Sequence, residues 1–308
     1  MSTFSSNMNI NGCVRGIAKN QDVIFYGYND SIPGNEFEWG VLMDGHGTNM
    51  FINKMRIQDW QKIMSEVDPW TALEIILLDI SGTYGYNSGS TLLMMRAYKD
   101  RIETITIGDS EIIIHKNGKM IYKSNPHNNK NETEMLRLAE LPQGKCHFLR
   151  QKVPIPQIRT SDTLQAKIGG YFYFENDASP ITTQTAMSQS IGHNNVTCYA
   201  PERHIEFFTP EDSIQCIMGS DGLFEMLLIP ENILKIPSIS DEELSEIVDK
   251  DTIDMLTMTA EELCDKAEKR WKQEWNYLWH PNDPTKEVIT TFEHNGWDDI
   301  SAIVWKKP

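Results

Sequence analysis

Eight short apolar segments, each four to seven residues long and bounded by Gly, Asp or Asn, constrain this chain more than any other feature. Runs of that length and bounding read as half-buried or buried strands. They fall at Asp22–Tyr28, Glu38–Met43, Thr91–Arg96, Glu103–Ile107, Glu111–Lys116, Lys119–Ser124, Gln215–Met218 and Ile300–Trp305. Among them lies a helical stretch, Asp59 to Leu78, with Trp60, Ile63, Met64, Val67, Leu73, Ile76 and Leu77 near a 3.6-residue period. Pro69 interrupts it, which predicts two packed helices rather than one. Capping boxes at Ser240-Asp-Glu-Glu243 and Thr259-Ala-Glu-Glu262 predict two further, acidic helices. In the second, Leu263, Ala267, Trp271, Trp275, Leu278 and Trp279 form a stripe at spacings of three and four, expected to pack on the core; the alternative is a partner groove.

Composition removes several function classes. The chain carries 44 acidic against 28 basic side chains, a formal charge of −16, and no basic run longer than Lys306-Lys307. Gripping nucleic acid requires clustered cations to displace counterions, and an anionic membrane surface would repel this chain. The aromatic content (11 Phe, 10 Tyr, 8 Trp) excludes a wholly disordered chain. No run approaches the length needed to span a bilayer, and residues 1–11 do not read as a signal peptide. Five scattered cysteines lack CxxC spacing, so neither a disulfide framework nor a zinc cluster is expected, and the reducing cytoplasm or the nucleus is the expected compartment. With 308 residues and no linker that divides them, one domain over residues 1–308 is the expectation. Asn125 to Glu132 reads as a polar loop, and Pro142 to Asn195 as a mixture of short strands and turns.

Certain aspartates sit where apolar runs end. Asp44 closes Trp39-Gly-Val-Leu-Met43 and precedes Gly45-His46-Gly47. Asp221 closes Ile217-Met-Gly-Ser220 and precedes Gly222, while Asp298 and Asp299 open Ile300-Ser-Ala-Ile-Val-Trp305. Carboxylates at the ends of separate buried strands can converge in one cleft, and convergent like charges call for a compensating cation. Oxygen ligands without Cys or paired His favour Mg²⁺ or Mn²⁺ over Zn²⁺. Each Asp-Gly alone is a common turn pair.

In their joint order, the segments Asn20-Gln-Asp22, Asp44-Gly-His-Gly47, Ser88-Gly-Ser-Thr91, Ile107-Gly-Asp-Ser110, Gly219-Ser-Asp-Gly-Leu-Phe224 and Trp297-Asp-Asp-Ile300 resemble the metal-dependent Ser/Thr protein phosphatases of the protein phosphatase 2C type. The resemblance covers about residues 12–305. It implies an α+β fold, a four-layer sandwich of two antiparallel β-sheets flanked by α-helices, with two Mg²⁺ or Mn²⁺ ions in a cleft at one edge. It further implies a hydrolase acting on phosphoserine and phosphothreonine of phosphoprotein substrates through a metal-activated bridging hydroxide. By position Asp44 is similar to the carboxylate bridging both ions, the Gly45 carbonyl to a ligand of one, and Asp221 and Asp298 to ligands of the other. Asp22 is similar to the acidic residue holding metal-bound water, and His46 to the general acid for a poor alkoxide leaving group.

Other motif residues read as structural: Gly108-Asp109-Ser110 as a hairpin turn, and Ser88–Thr91 as the start of a buried strand rather than a source of a nucleophilic Ser90. Three departures from the family stand out. Gln21 replaces a frequent Glu. Ile17 occupies the position of a phosphate-clamping Arg, leaving Arg15 or Lys19 as replacements. His193 falls where an aspartate helps to hold a third, weaker metal, while Glu225 retains an outer carboxylate. A catalytically silent binding or regulatory module is the alternative function.

Overall fold

All eight predicted segments fold as strands, and the reason is visible in how they are covered. A computed structural model describes residues 8–17, 19–31, 33–84, 87–141, 145–153, 167–176, 179–227, 255–272, 274–278, 287–291 and 298–308. Strands β1 (Ile10–Arg15), β2 (Val23–Asn29), β3 (Phe37–Met43) and β4 (Gly45–Gly47) precede helices α1 (Met50–Arg56), α2 (Trp60–Ser65) and α3 (Pro69–Tyr84). Next come β5 (Ser88–Ser90), β6 (Leu92–Ala97), β7 (Arg101–Ile107), β8 (Glu111–Lys116) and β9 (Lys119–Lys123). Helix α4 (Glu132–Ala139) leads to β10 (Cys146–Val153), β11 (Lys167–Asn176), β12 (Ser179–Thr185), β13 (Ile191–Gly192), β14 (Glu202–Phe207) and β15 (Ile214–Gly219). The remaining elements are α5 (Asp221–Leu227), α6 (Ala260–Lys272), β16 (Glu274–Leu278), β17 (Glu287–Thr291) and β18 (Ile300–Lys306).

Two five-stranded antiparallel sheets form the centre, in the orders β1-β18-β15-β8-β9 and β14-β7-β6-β3-β2. Every residue of β3, β6 and β15 is buried, and these strands read as nearly continuous apolar runs broken only by Glu38, Arg96 and Gln215. Successive side chains still point to opposite faces. Trp39, Val41 and Met43 of β3 pack with Phe51, Leu73 and Leu77 of α1 and α3. Leu42, from the same strand, joins Leu93, Met95, Met218, Ile303 and Trp305 in the layer between the sheets. On β18, Ile300, Ala302 and Val304 face Leu223, Leu263 and Trp271 of α5 and α6. Three apolar layers thus separate four layers of secondary structure, the α+β sandwich expected above.

Pro69 does begin a new helix: α2 ends at Ser65 and α3 starts at Pro69, the first-turn position where a missing N–H does no harm. The second capping box also forms. The Thr259 amide donates to Glu262 Oε2 at 2.7 Å, and the Glu262 amide returns to Thr259 Oγ1 at 3.3 Å. Its apolar stripe does not continue as predicted, for α6 ends at Lys272 and residues 274–278 form β16, paired with β17. Trp275 and Tyr277 favour a pleated strand over a helix, which explains the change. Leu263, Ala267 and Trp271 are buried as expected. Ser240–Glu243, Trp279 and Trp297 lie outside the described residues. The stretch 142–195 holds the meander β10-β11-β12, and α4 follows the polar loop, capped by Asn131 Oδ1 on the amides of Thr133 and Glu134. Among the described residues no helix is long and apolar enough to cross a membrane.

Candidate active site

The strand ends bring the aspartates together. Asp44 links β3 to β4, and its backbone is pinned by the neighbouring Ser-Thr pair: its amide donates to Thr91 Oγ1 at 3.0 Å, and its carbonyl accepts from the Thr91 amide and Ser90 Oγ, both at 2.9 Å. Ser90 is therefore a structural hydroxyl. Ser88 Oγ accepts from the Phe51 amide at 3.0 Å at the start of α1. Asp221 begins α5 directly after β15, while Asp298 and Asp299 precede β18, the strand paired with β15. Gly222 lets these two ends meet, since a Cβ there would lie 2.1 Å from the Asp299 carbonyl oxygen and 3.2 Å from Asp298 Cβ. Trp271 holds the same turn from α6, donating from Nε1 to the Gly222 carbonyl at 2.8 Å.

Burial and mutual repulsion show in the acidities. Burial pushes Asp22 up to about 7, with the charges of Asp298 and Asp299 adding to it. Asp221 rises to about 7 through burial and then through Asp109 and Glu225. Asp298 reaches about 7 through burial and the Asp221 charge, with Lys19 opposing. Asp44 is raised well above the usual carboxylate range by burial and by the charges of Asp22, Asp221 and Asp298. Among the described residues neither Asp22 oxygen, both buried, has a hydrogen bond of good geometry, although the Ser301 and Ser220 hydroxyls approach closely enough to favour its ionised form.

Such a donor set, all oxygen and mutually repulsive, fits a hard divalent cation, which would supply the missing positive charge and release the protons. Among the described residues no three acidic, imidazole or thiol groups form a closed shell in the geometry observed. Gly45 lies against the Asp22 loop, where a Cβ would meet the Gln21 carbonyl at 2.9 Å.

His46 turns its Nδ1 toward His193 Nε2 at 2.8 Å, and the two rings are nearly parallel. Burial drives both imidazoles toward the neutral form, His46 well below its ordinary range and His193 to about 4. The Lys19 charge also reaches His46, and Lys19 Nζ lies 3.9 Å from Asp298 Oδ1. Lys19 thus stands at the carboxylate cluster. Arg15 does not: its guanidinium is bound to Asp265 at 2.7 Å, with Glu261 and Glu268 of α6 at 3.6 and 3.7 Å. Gln21 is a structural tie. Its Nε2 donates to the Gly47 carbonyl at 2.9 Å and to Asn49 Oδ1 at 2.6 Å.

Two residues were missed or misread in the sequence. Gly108-Asp109-Ser110 is not a hairpin turn, because β7 and β8 belong to different sheets and pair with other strands. The segment crosses between the sheets and delivers Asp109 to the cluster, where its charge is the largest electrostatic influence raising Asp221. The crossing is fixed by Ser110 Oγ to Thr91 Oγ1 at 2.7 Å and by the Gly108 amide to His127 Nδ1 at 3.0 Å. Two alternating runs flanking a glycine carry no signal of which sheet each will join. Asp299, the other, accepts from the amides of Ile17 (2.9 Å), Lys19 (3.3 Å) and Gln21 (2.7 Å), and so folds the loop that carries Lys19 and leads to Asp22.

No protein-family model matches the sequence, and no curated protein matches it. Among solved structures, a C. elegans sex-determining protein superposes with a TM-score of 0.55 at 12% identity, over 99% of this chain and 66% of its own length. The likeness is one of fold. The serine/threonine phosphatase Stp1 from Staphylococcus aureus aligns at a TM-score of 0.47 and 12% identity, covering 100% of this chain and 98% of that one. The serine/threonine phosphatase PstP/Ppp from Mycobacterium tuberculosis aligns at 0.47 and 13%, covering 96% and 97%. This chain spans 66% of the length of the C. elegans protein.

Proposed function

We propose that this protein is a metal-dependent phosphatase that hydrolyses phosphoserine and phosphothreonine in phosphoprotein substrates. The observation that carries the reading is the convergence of Asp22, Asp44, Asp109, Asp221 and Asp298, in which Asp22, Asp109, Asp221 and Asp298 each raise the proton affinity of another carboxylate, beside His46 and Lys19. Asp44, the Gly45 carbonyl, Asp221, Asp298 and Asp22 would hold two Mg²⁺ or Mn²⁺ ions. Bound there, the ions would acidify a water molecule and neutralise the phosphoryl oxygens.

The chain's own groups account for the rest. Lys19, with its ammonium at the edge of the carboxylates, attracts the phosphate dianion as a point charge. Arg15, engaged with α6, contributes to the fold instead. His46 donates a proton to the departing alkoxide oxygen, a contribution of roughly 10² to 10⁴ in rate for so poor a leaving group. The apolar layers on either side of the cleft keep the carboxylates in a low-dielectric setting, where each of these charges acts more strongly.

Hydrolysis of a phosphothreonine peptide in EDTA, Mg²⁺ or Mn²⁺, beside the Asp44→Ala and Asp221→Ala variants, tests the reading. Turnover that requires metal and is lost in both variants is expected. Folded wild-type protein without turnover under either ion would replace the phosphatase by a silent binding module, and hydrolysis of small phosphates alone would redirect it to another phosphomonoesterase.

A further inference from the structure

Asn20, in the loop between β1 and β2, stands in the left-handed region at φ of 54°. Asparagine is among the few side chains that tolerate this region, though at an energetic cost. Gly16 leaves room for the turn, since a Cβ there would lie 2.8 Å from Asn20 Oδ1. On either side of Asn20, the amides of Lys19 and Gln21 donate to Asp299 at 3.3 and 2.7 Å. Those bonds engage the loop's donors and leave the Asn20 carbonyl to be satisfied from elsewhere.

Helix α1 supplies the partner. Arg56, its last residue, donates from Nη2 to the Asn20 carbonyl at 2.6 Å and from Nη1 to Asn53 Oδ1 at 2.9 Å. Side chains on a helix lean toward its N-terminus and meet residues three or four positions earlier, which is how Asn53 comes to hold the guanidinium. The direction of both bonds is fixed, because a guanidinium only donates. The start of the helix is tied to the next residue of the loop, where Gln21 Nε2 donates to Asn49 Oδ1 at 2.6 Å. A helix of seven residues, about 10 Å long, thus splints the loop along its length.

We propose that Arg56 is a positioning residue for Lys19: its bond to the Asn20 carbonyl holds the turn that presents the Lys19 ammonium to the carboxylate cleft. The inference rests on the phosphatase reading above and deepens it, by naming what steadies the charge that attracts the phosphate. Lys19 directly precedes Asn20. Its Nζ stands 3.9 Å from Asp298 Oδ1 while 57% of its side chain is exposed, so it is within reach of both the cluster and an incoming phosphate. A lysine acts as a point charge on a flexible stem, and its aim depends on where its backbone is held. Without Arg56 the Asn20 carbonyl turns to water, the left-handed φ relaxes, and the ammonium loses its fixed origin.

The test is a double-mutant cycle of Arg56→Met, which keeps an apolar stem without the donors, with Lys19→Ala, beside amide hydrogen exchange in EDTA. Exchange reads the loop without reference to activity: in Arg56→Met the Lys19 and Gln21 amides are expected to exchange roughly 10-fold faster at an unchanged melting temperature. With Mg²⁺ or Mn²⁺, Arg56→Met is expected to raise KM for a phosphothreonine peptide about 5-fold and to leave kcat nearly unchanged, the signature of a lost binding contact. In the Lys19→Ala background the same substitution is expected to change KM by less than about 2-fold, because a residue acting through another has nothing left to act on. Asn53→Ala, at an exposed helix position, keeps the Arg56 charge and removes the oxygen that orients it. Smaller rises in exchange and in KM are expected there, and this variant decides the matter should Arg56→Met unfold. An Arg56→Met effect of the same factor with and without Lys19 would overturn the positioning role, as would unchanged exchange. Absence of wild-type turnover with either ion would instead overturn the phosphatase reading, and exchange would still decide whether Arg56 holds the loop.

Discussion

The acidic side of the cleft is anchored in both sheets, whereas its cationic side hangs on one short loop. Asp44 and Asp109 leave β3 and β7 of one sheet, and Asp221 and Asp298 stand where β15 and β18 of the other meet α5. Hydrogen-bonded ladders fix all four backbones. Lys19 lies instead on the segment between β1 and β2, whose shape depends on three amides donating to the single carboxylate of Asp299. A site of this design keeps its charge cluster through most surface changes, while its one lysine follows Asp299.

The largest expected effect tests the anchored side. Asp44→Asn removes the group on which three other carboxylates act and is expected to lower metal-dependent turnover by on the order of 10³-fold, with the protein still folded by circular dichroism. Next is Gly222→Ala. With a prospective Cβ 2.1 Å from the Asp299 carbonyl oxygen, the substitution forces the ends of β15 and β18 apart. Denaturant unfolding should show a loss of about 1–3 kcal/mol, as for other overpacked interiors, together with weaker stabilisation by Mg²⁺.

The cationic side gives smaller effects, and they separate two residues that the sequence left equivalent. Lys19→Ala is expected to lower kcat/KM about 10-fold, one phosphate contact being worth a little over 1 kcal/mol. Arg15→Ala is expected to cost about 1 kcal/mol or less of stability, as exposed pairs do, with kcat/KM nearly unchanged. A loss of kcat/KM in Arg15→Ala equal to that in Lys19→Ala would erase the distinction between loop and helix.

The smallest effect is in pH. Asp22, Asp221 and Asp298 titrate at about 7 in the fold against an ordinary 3.8, so the fold holds more protons than the unfolded chain over that window. Stability of the cation-free protein therefore falls as pH rises through it. His46, His115, His127 and His193, pushed toward the neutral form by burial, act oppositely, and their effect fades above their ordinary 6.5. From about pH 7 upward the carboxylates dominate, and the melting temperature in EDTA is expected to drop toward pH 8. Mg²⁺ should flatten or reverse the drop, and Asp221→Asn should shrink it.

Much of this was legible in the chain itself. The strand segments could be read because buried strands need apolar side chains on both faces, and Asp44, Asp221 and Asp298 because a charge directly after such a run must emerge at a rim. Asp109 could not, since two runs joined by Gly-Asp-Ser look alike whether they pair with each other or with strands far away. The separation of Lys19 from Arg15 was equally hidden: it depends on Asp265, which lies 250 residues from Arg15 and approaches it only in the folded chain. The capping box located the start of α6, while its end was misplaced because aromatic spacing suits a strand as well as a helix.

The order of the first sheet also governs when the site can exist. β1 lies beside β18 and β15 beside β8, so its ladders join segments from opposite ends of the chain. Closing such long loops before any contact rewards them makes folding slow. Asp298 lies more than 250 residues after Asp44 and Asp22, so no part of the chain before it can gather them. Until the segment that carries Asp298 has joined the sheet, the acidic groups stay apart and ionised, and the cleft does not yet exist.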